Sequence, residues 1–320
     1  MAGDSNSFAI IAICTACPVV LDEPLASSDQ PSPAAISQSR AIVLGASSLV
    51  GTFLVDRLVG KGVATIALSR QPHPPRPGLT WLIGDLRTFE LAGQEQATLA
   101  FSVSPIWLLA PCIPALRRMG VVRLIAFSST SRYTKGSSRI ASEREVVQRL
   151  IQGELETQSC CERLGIAWTI LRPTVIYAEG LDRSVTRLAN IIRRFQVLPL
   201  AGDALGRRQP VHADDLAAGA IAAAESPAAA NRAYEVPGGE TLTYRAMAER
   251  IFEGMGRQPR VVAVPPVLWR LGLFLASPSM PGVTSEMGSR MAEDLVFDSS
   301  PAERDFNWRP RGFQPHFPPN

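Results

Sequence analysis

Lysine is nearly missing from this chain. Of its 32 basic residues only Lys61 and Lys135 are lysines, and there are just four tyrosines and three histidines. Chemistry that sets a lysine amine beside a phenol therefore has very few positions to use. Charge of one sign is also lacking. A net +3 over 320 residues offers no strongly basic face, so no nucleic-acid partner is expected. The five cysteines build no framework. Cys14 and Cys17 form a single CxxC with no second pair and no nearby histidine. A zinc site takes about four ligands, so no metal is expected. Cys112, Cys160 and Cys161 read as inert thiols in a reducing compartment. No long hydrophobic run is present either. The apolar stretch at residues 8–20, FAIIAICTACPVV, falls short of the roughly 20 residues a bilayer span needs. No basic residue precedes it, as a signal peptide would require. A cytoplasmic chain without a membrane partner is expected. Residues 1–38 read as a disordered extension that ends in the linker SSDQPSPAAISQS.

From Ala41 onward strands and helices alternate. AIVLG is a short, wholly apolar run suited to a buried parallel strand. A helix follows with Val50, Phe53, Leu54 and Leu58 on one face. VATIALSR, TWLIGD, IWLLAP and VVRLIAFSS read as strands two to five. A long helix is expected from Ser142, with Ser142 and Glu145 as a capping box and Val147, Leu150, Ile151 and Leu155 as its apolar stripe. AWTILRP is the sixth strand. This order implies an α/β fold with a Rossmann-type doubly wound parallel sheet. Residues 39–175 would form that core. Residues 176–320 would mainly form a smaller C-terminal substrate lobe, with 209–225 returning to the core. In the lobe, helices are expected at 214–225, 244–255 and 264–276, with a short strand AYEV between the first two.

The turn LGASSLVG links the first strand to the first helix. Gly45 permits the tight turn and Gly51 lets helix and strand pack closely. Ser48 stands where a phosphate-cradling loop often has glycine. Its hydroxyl suits both a helix N-terminus and a phosphate. In this context the turn predicts a dinucleotide site, with Ser47, Ser48 and Leu49 against the pyrophosphate. The second strand ends in Ser69–Arg70, where an acid would bind the ribose hydroxyl of NAD. Arg70 suits a 2′-phosphate instead, so NADP is expected over NAD. Asp85 is placed to accept from the adenine amine, with Leu86 beside it and Ala110 at the end of the expected fourth strand.

Taken together, GASSLVG, GDL, FSSTS, LRPTVIYAEG and RRQPVHADDLA resemble the extended and atypical short-chain dehydrogenase/reductase superfamily. The resemblance is to its NAD(P)-dependent epimerase/dehydratase, nucleotide-sugar epimerase-like group, and it covers about residues 40–313. It implies that Thr130 contacts the reacting oxygen, that Pro173 touches the nicotinamide and that Arg208 faces a small-molecule substrate. A homodimer is compatible with it. His212, in VHADD, would be structural, and His73 would be solvated in a Pro-rich loop.

The catalytic pair of that group does not carry over. Its enzymes use Tyr and Lys four residues apart, the Lys lowering the Tyr pKa. Aligning back from LRP puts Gln148 and Gln152 in those positions. The residues four beyond Tyr133, Tyr177, Tyr234 and Tyr244 are Ser137, Leu181, Gly238 and Ala248, so the chain contains no YxxxK at all. Tyr133 is the remaining candidate proton donor, with Lys135 or Arg132 as the charge to lower its pKa. Two readings follow. One is an oxidoreductase or epimerase with a rebuilt site, acting on a phosphate-bearing or nucleotide-linked molecule. The other is an NADP-binding sensor or structural subunit without turnover.

Overall fold

The computed structural model describes residues 39–88, 96–265, 267–269 and 285–317. The expected extension at 1–38 and most of the expected 264–276 helix lie outside these.

The first half alternates as expected. Strand β1 (Arg40–Leu44) leads into α1 (Leu49–Gly60), then β2 (Ala64–Ser69), β3 (Leu79–Ile83) and β4 (Leu99–Ser102). After them come α2 (Ile113–Arg118), β5 (Arg123–Phe127), the short α3 (Ser131–Thr134), α4 (Ala141–Arg163) and β6 (Ala167–Pro173). The C-terminal half holds β7 (Ile176–Tyr177), α5 (Val185–Phe195), β8 (Leu198–Ala201), β9 (Arg207–Arg208), β10 (Val211–His212) and α6 (Ala213–Glu225). It ends with β11 (Arg232–Val236), β12 (Leu242–Thr243), α7 (Tyr244–Gly254), β13 (Val261–Val264), α8 (Ser285–Arg290) and α9 (Ser300–Phe306).

Seven strands form one parallel sheet in the order β11-β6-β5-β4-β1-β2-β3. The order reverses between β1 and β4, which is where such sheets open a crevice at their carboxyl edge. One face is covered by α1, α6 and α9, packed through Leu54, Leu58, Leu216 and Phe306. The other is covered by α2 and α4 through Ile113, Leu116, Leu150 and Cys161. A third core of Ile192, Leu198, Met247 and Phe252 joins α5, α7, β8 and β13.

Four expectations need correction. The fourth strand is LAFS at 99–102, not IWLLAP. Ile106–Leu108 and Ala110–Cys112 form two 3-10 turns instead. Ile106 and Leu109 are buried there, and α4 runs so close that a Cβ on Gly153 would stand 2.7 Å from the Trp107 amide nitrogen. AYEV is no lobe strand. It lies in β11, paired with β6 in the main sheet. The Ser142 capping box does not form, since α4 begins at Ala141 with Ile140 as its cap. Ser138 takes over, donating to Glu143 at 2.6 Å and accepting from the Ile140 amide. The apolar stripe of α4 is also rotated. Val147 and Leu150 are buried but Leu155 is 55% exposed, and Gly153, Glu154 and Thr157 face inward. Among the described residues no helix is long and apolar enough to cross a membrane.

Candidate functional site

The β1–α1 turn is built on two glycines for two different reasons. Gly45 has φ +79°, in the left-handed region that disfavours a side chain, and a Cβ there would lie 2.4 Å from Ser104 Oγ. Gly51 has an ordinary backbone, but its Cβ would meet the Gly45 carbonyl oxygen at 2.4 Å. Helix α1 can therefore sit directly on the turn. Ser48 is its N-cap, and its hydroxyl accepts from the Gly51 amide at 3.2 Å. The Ser48 amide in turn donates to the Gly45 carbonyl. Ser47 is exposed above the helix start, and Leu49 and Val50 open the helix. First-turn amides have no intrahelical acceptor, and the helix dipole adds partial positive charge, so the turn suits an anion.

At the end of β2, Ser69 is buried and its hydroxyl lies 3.3 Å from Ser47 Oγ and 3.0 Å from His73 Nε2. It also accepts from the Gln71 amide. His73 is not a solvated loop residue. Its ring stacks on Trp81 of β3, with centroids 4.0 Å apart and planes 19° apart. Arg70 is exposed beside this group. Beyond β3, Asp85 accepts from the Arg87 amide at 2.9 Å, and Leu86 is buried under it. The position expected of Ala110, just past the fourth strand, is held by Val103 and Ser104, and Ser104 reaches Gly45. Ala110 lies eight residues past the strand in a 3-10 turn. The run LAFSVS before Pro105 was the available signal for Ser104, but the longer apolar run IWLLAP outweighed it.

At the carboxyl ends of β5 and β6, Thr130 is buried and donates its hydroxyl to the Pro173 carbonyl at 3.0 Å. Its amide bonds the same oxygen. Tyr133, on α3, is 51% exposed. It donates to Glu235 Oε1 at 2.8 Å and accepts from Arg172 at 2.8 Å. Partial burial and the bond to Glu235 push its pKa above the usual phenol value, outweighing the opposing pull of Arg172 and Arg132. The expected lowering is therefore reversed. Lys135 lies 3.6 Å from Glu143, and Arg132 is bound to Glu154.

The two glutamines aligned with the missing pair do not face the sheet. Gln148 and Gln152 are exposed on the outer face of α4, and Gln152 donates to Glu156. The inward face of that helix presents Val147, Leu150, Gly153, Glu154 and Thr157. No tyrosine or lysine lies on it. Glu154, only 1% exposed, accepts from Ser128, Arg132 and Arg172. Its charge is balanced by two arginines, so it serves as a buried cross-link between α4, α3 and β6.

Arg208 is 5% exposed. Its guanidinium donates to the carbonyls of Arg207, Glu293 and Arg290. Three of its five N–H groups are thereby bound to main chain. It borders a cavity of about 640 Å3. His212 caps α6 by accepting from the Asp214 amide at 3.1 Å and sits between Phe53 and Tyr177. The Asp214–Asp215 pair is structural as well: Asp214 takes Arg57 and Arg311, and Asp215 takes Arg311.

Residues 110–236 match the family model described as the NAD dependent epimerase/dehydratase family. Two relatives are the mitochondrial protein "NADH dehydrogenase [ubiquinone] 1 alpha subcomplex subunit 9" of Arabidopsis thaliana and of Dictyostelium discoideum. They are 24% and 21% identical over 70% and 69% of this chain. The chain spans 60% and 65% of their lengths. Among solved structures, MoeE5 in complex with UDP-glucuronic acid and NAD aligns with a TM-score of 0.66 at 18% identity, over 86% of this chain and 94% of that one. UDP-glucuronic acid 4-epimerase from Bacillus cereus, in complex with UDP-glucuronic acid and NAD, aligns with a TM-score of 0.66 at 14% identity, over 86% and 95%. At these identities the structural likeness establishes the fold.

Proposed function

We propose that this chain, whose residues 110–236 match the model of the NAD dependent epimerase/dehydratase family, binds a nicotinamide dinucleotide at the β1–α1 turn and holds it without turnover, as a sensor or structural subunit. The observation that carries this reading is the inward face of α4, where Val147 and Leu150 stand and no phenol or amine does. A bound dinucleotide would supply hydride chemistry. Passing a proton to or from a substrate oxygen needs a group that titrates near working pH. Thr130 can only hydrogen-bond there. The relatives named as subunits of NADH dehydrogenase are consistent with a binding role.

The residues that would hold the dinucleotide are Gly45, Ser47, Ser48, Leu49 and Gly51 at the pyrophosphate, with Asp85 and Leu86 at the adenine. Pro173 would stand at the nicotinamide. The turn fits such a group: its helix N-terminus faces outward and its glycines keep the backbone low. Arg70 favours the 2′-phosphate of NADP, and Ser47, Ser69 and His73 beside it offer further hydrogen-bonding groups. Titrating the protein with NADPH and NADH, read by nicotinamide fluorescence, tests this. Tighter binding of NADPH is expected. Equal affinity, or preference for NADH, overturns the choice of cofactor, and no binding of either overturns the reading itself.

The second reading is a reductase or epimerase acting on a phosphate-bearing or nucleotide-linked substrate beside Arg208, with Tyr133 as donor. The cavity favours it, because Val175 in its wall lies two residues past Pro173. The raised pKa of Tyr133 and the occupied guanidinium of Arg208 weigh against it.

A further inference from the structure

The cavity bordered by Arg208 has a largely apolar lining. Its inner wall is Leu198, Leu200, Met247 and Met291, all buried, and its sides are Leu188 and Ile191. Among the described residues no aspartate or glutamate lines it, whereas three arginines do. Arg208 is bound to main-chain carbonyls. Arg183 is exposed and Arg187 half-buried, and with the exposed Phe195 they mark the opening. The other polar side chains in the described lining are few: Ser184, Tyr244 and Trp269, whose buried Nε1 finds no hydrogen-bond partner among the described residues. Ser184 Oγ already donates to the Ile176 carbonyl at 3.0 Å. A pyrimidine and a hexose bring many donors and acceptors into such a space, and each left unpaired costs about 1–3 kcal/mol. A volume of about 640 Å3 lies within the range of small-molecule sites.

We propose that this cavity binds an anionic amphiphile, with a single aliphatic or isoprenoid tail among Leu188, Ile191, Met247 and Met291 and a carboxylate or phosphate head at Arg183 and Arg187. The apolar wall supplies affinity through area removed from water. The arginines at the mouth supply a charge match in the place where the ligand meets solvent. This inference is independent of the dinucleotide reading, since it uses no residue of the β1–α1 turn.

Titration of the full chain with cis-parinaric acid, below its micellar concentration and without dinucleotide, tests it. The fluorescence should rise and saturate at one probe per chain. Dodecanoate and dodecyl phosphate should displace the probe, and the tighter of the two identifies the head group as carboxylate or phosphate. Dodecanol should compete about tenfold more weakly. Arg183→Glu, at an exposed position, should weaken probe binding about tenfold while leaving dodecanol unaffected. Ile191→Trp, which fills the cavity, should abolish binding of both with the melting temperature retained. Displacement by UDP-glucose at concentrations where dodecanoate fails overturns the proposal. So does probe binding that neither variant changes. NADPH titration of the same samples reads the dinucleotide site separately.

Discussion

The Thr130 hydroxyl donates to the Pro173 carbonyl at 3.0 Å, and the Thr130 amide reaches the same oxygen at 3.1 Å. The pair joins the carboxyl end of β5 to that of β6. It also commits the one proton of that hydroxyl to main chain. Thr130→Val keeps the shape and the amide bond but removes the hydroxyl bond. A loss of about 1 kcal/mol in unfolding free energy is expected, measured by urea denaturation, with NADPH affinity unchanged. A large drop in affinity with unaltered stability would instead place the hydroxyl on the cofactor.

Glu154 carries the charge balance beneath α4. Removing it leaves Arg132 and Arg172 facing each other near Ser128 without their shared carboxylate. Glu154→Ala should therefore destabilise the protein by about 3–5 kcal/mol, the range for breaking a buried pair from one side. Chemical denaturation checks this, and a change below about 1 kcal/mol would show that solvent reaches the site.

The carboxyl of Glu143 ties the start of α4 to α8. Arg290 donates to both its oxygens, Ser138 adds a further bond, and its pKa is held down to about 2 against an ordinary 4.5. A depressed carboxylate pKa gives stability that is present above the unfolded value and is lost as pH falls through the folded one. The wild type should thus lose this contribution between about pH 4.5 and pH 2. Glu143→Gln should melt lower than wild type at neutral pH, with the gap closing over that interval. A gap that stays constant down to pH 2 would remove the linkage.

The parts of the fold that were legible in the sequence are those where local chemistry and tertiary context agree. Gly45 and Gly51 announced the turn because a φ of +79° disfavours a side chain at the first and a Cβ at the second would stand 2.4 Å from a carbonyl oxygen. LAFS was passed over because it is only four residues long, while IWLLAP is longer and more apolar. A short buried apolar run cannot be told from helix by periodicity alone, and Pro105 precedes the first of the turns that form while Pro111 lies within the second. The face of α4 was misjudged by a register effect. Gly153 against Trp107 fixes the helix rotation, which puts Gln148 and Gln152 outside and Glu154 inside. That contact joins segments about 46 residues apart in sequence, so no window along the helix contains it. The reversal of the Tyr133 shift came first from partial burial and then from a contact of the same long-range origin. Glu235 on β11 is brought to the phenol by strand pairing rather than by sequence proximity.

Arg70→Glu separates the cofactor preference from the fold. The side chain is exposed, so stability should be unchanged. NADPH affinity should fall by about 1–3 kcal/mol, for a lost charge-assisted contact and a new repulsion, and the preference should pass to NADH. Fluorescence titration of wild type and variant with both cofactors measures it. Equal NADPH affinity in the two proteins would place the 2′-phosphate elsewhere.

The central claim is that the dinucleotide is held without a proton relay. It is tested most directly by loading the full chain with NADPH and following the bound nicotinamide against a panel of carbonyl, alcohol and nucleotide-sugar compounds. The account predicts stoichiometric binding and a nicotinamide that stays reduced, in wild type and in Tyr133→Phe alike. Oxidation of the bound NADPH by any member of the panel would contradict it. If Tyr133→Phe slowed that oxidation by about 100-fold, the phenol would be established as the donor in its place.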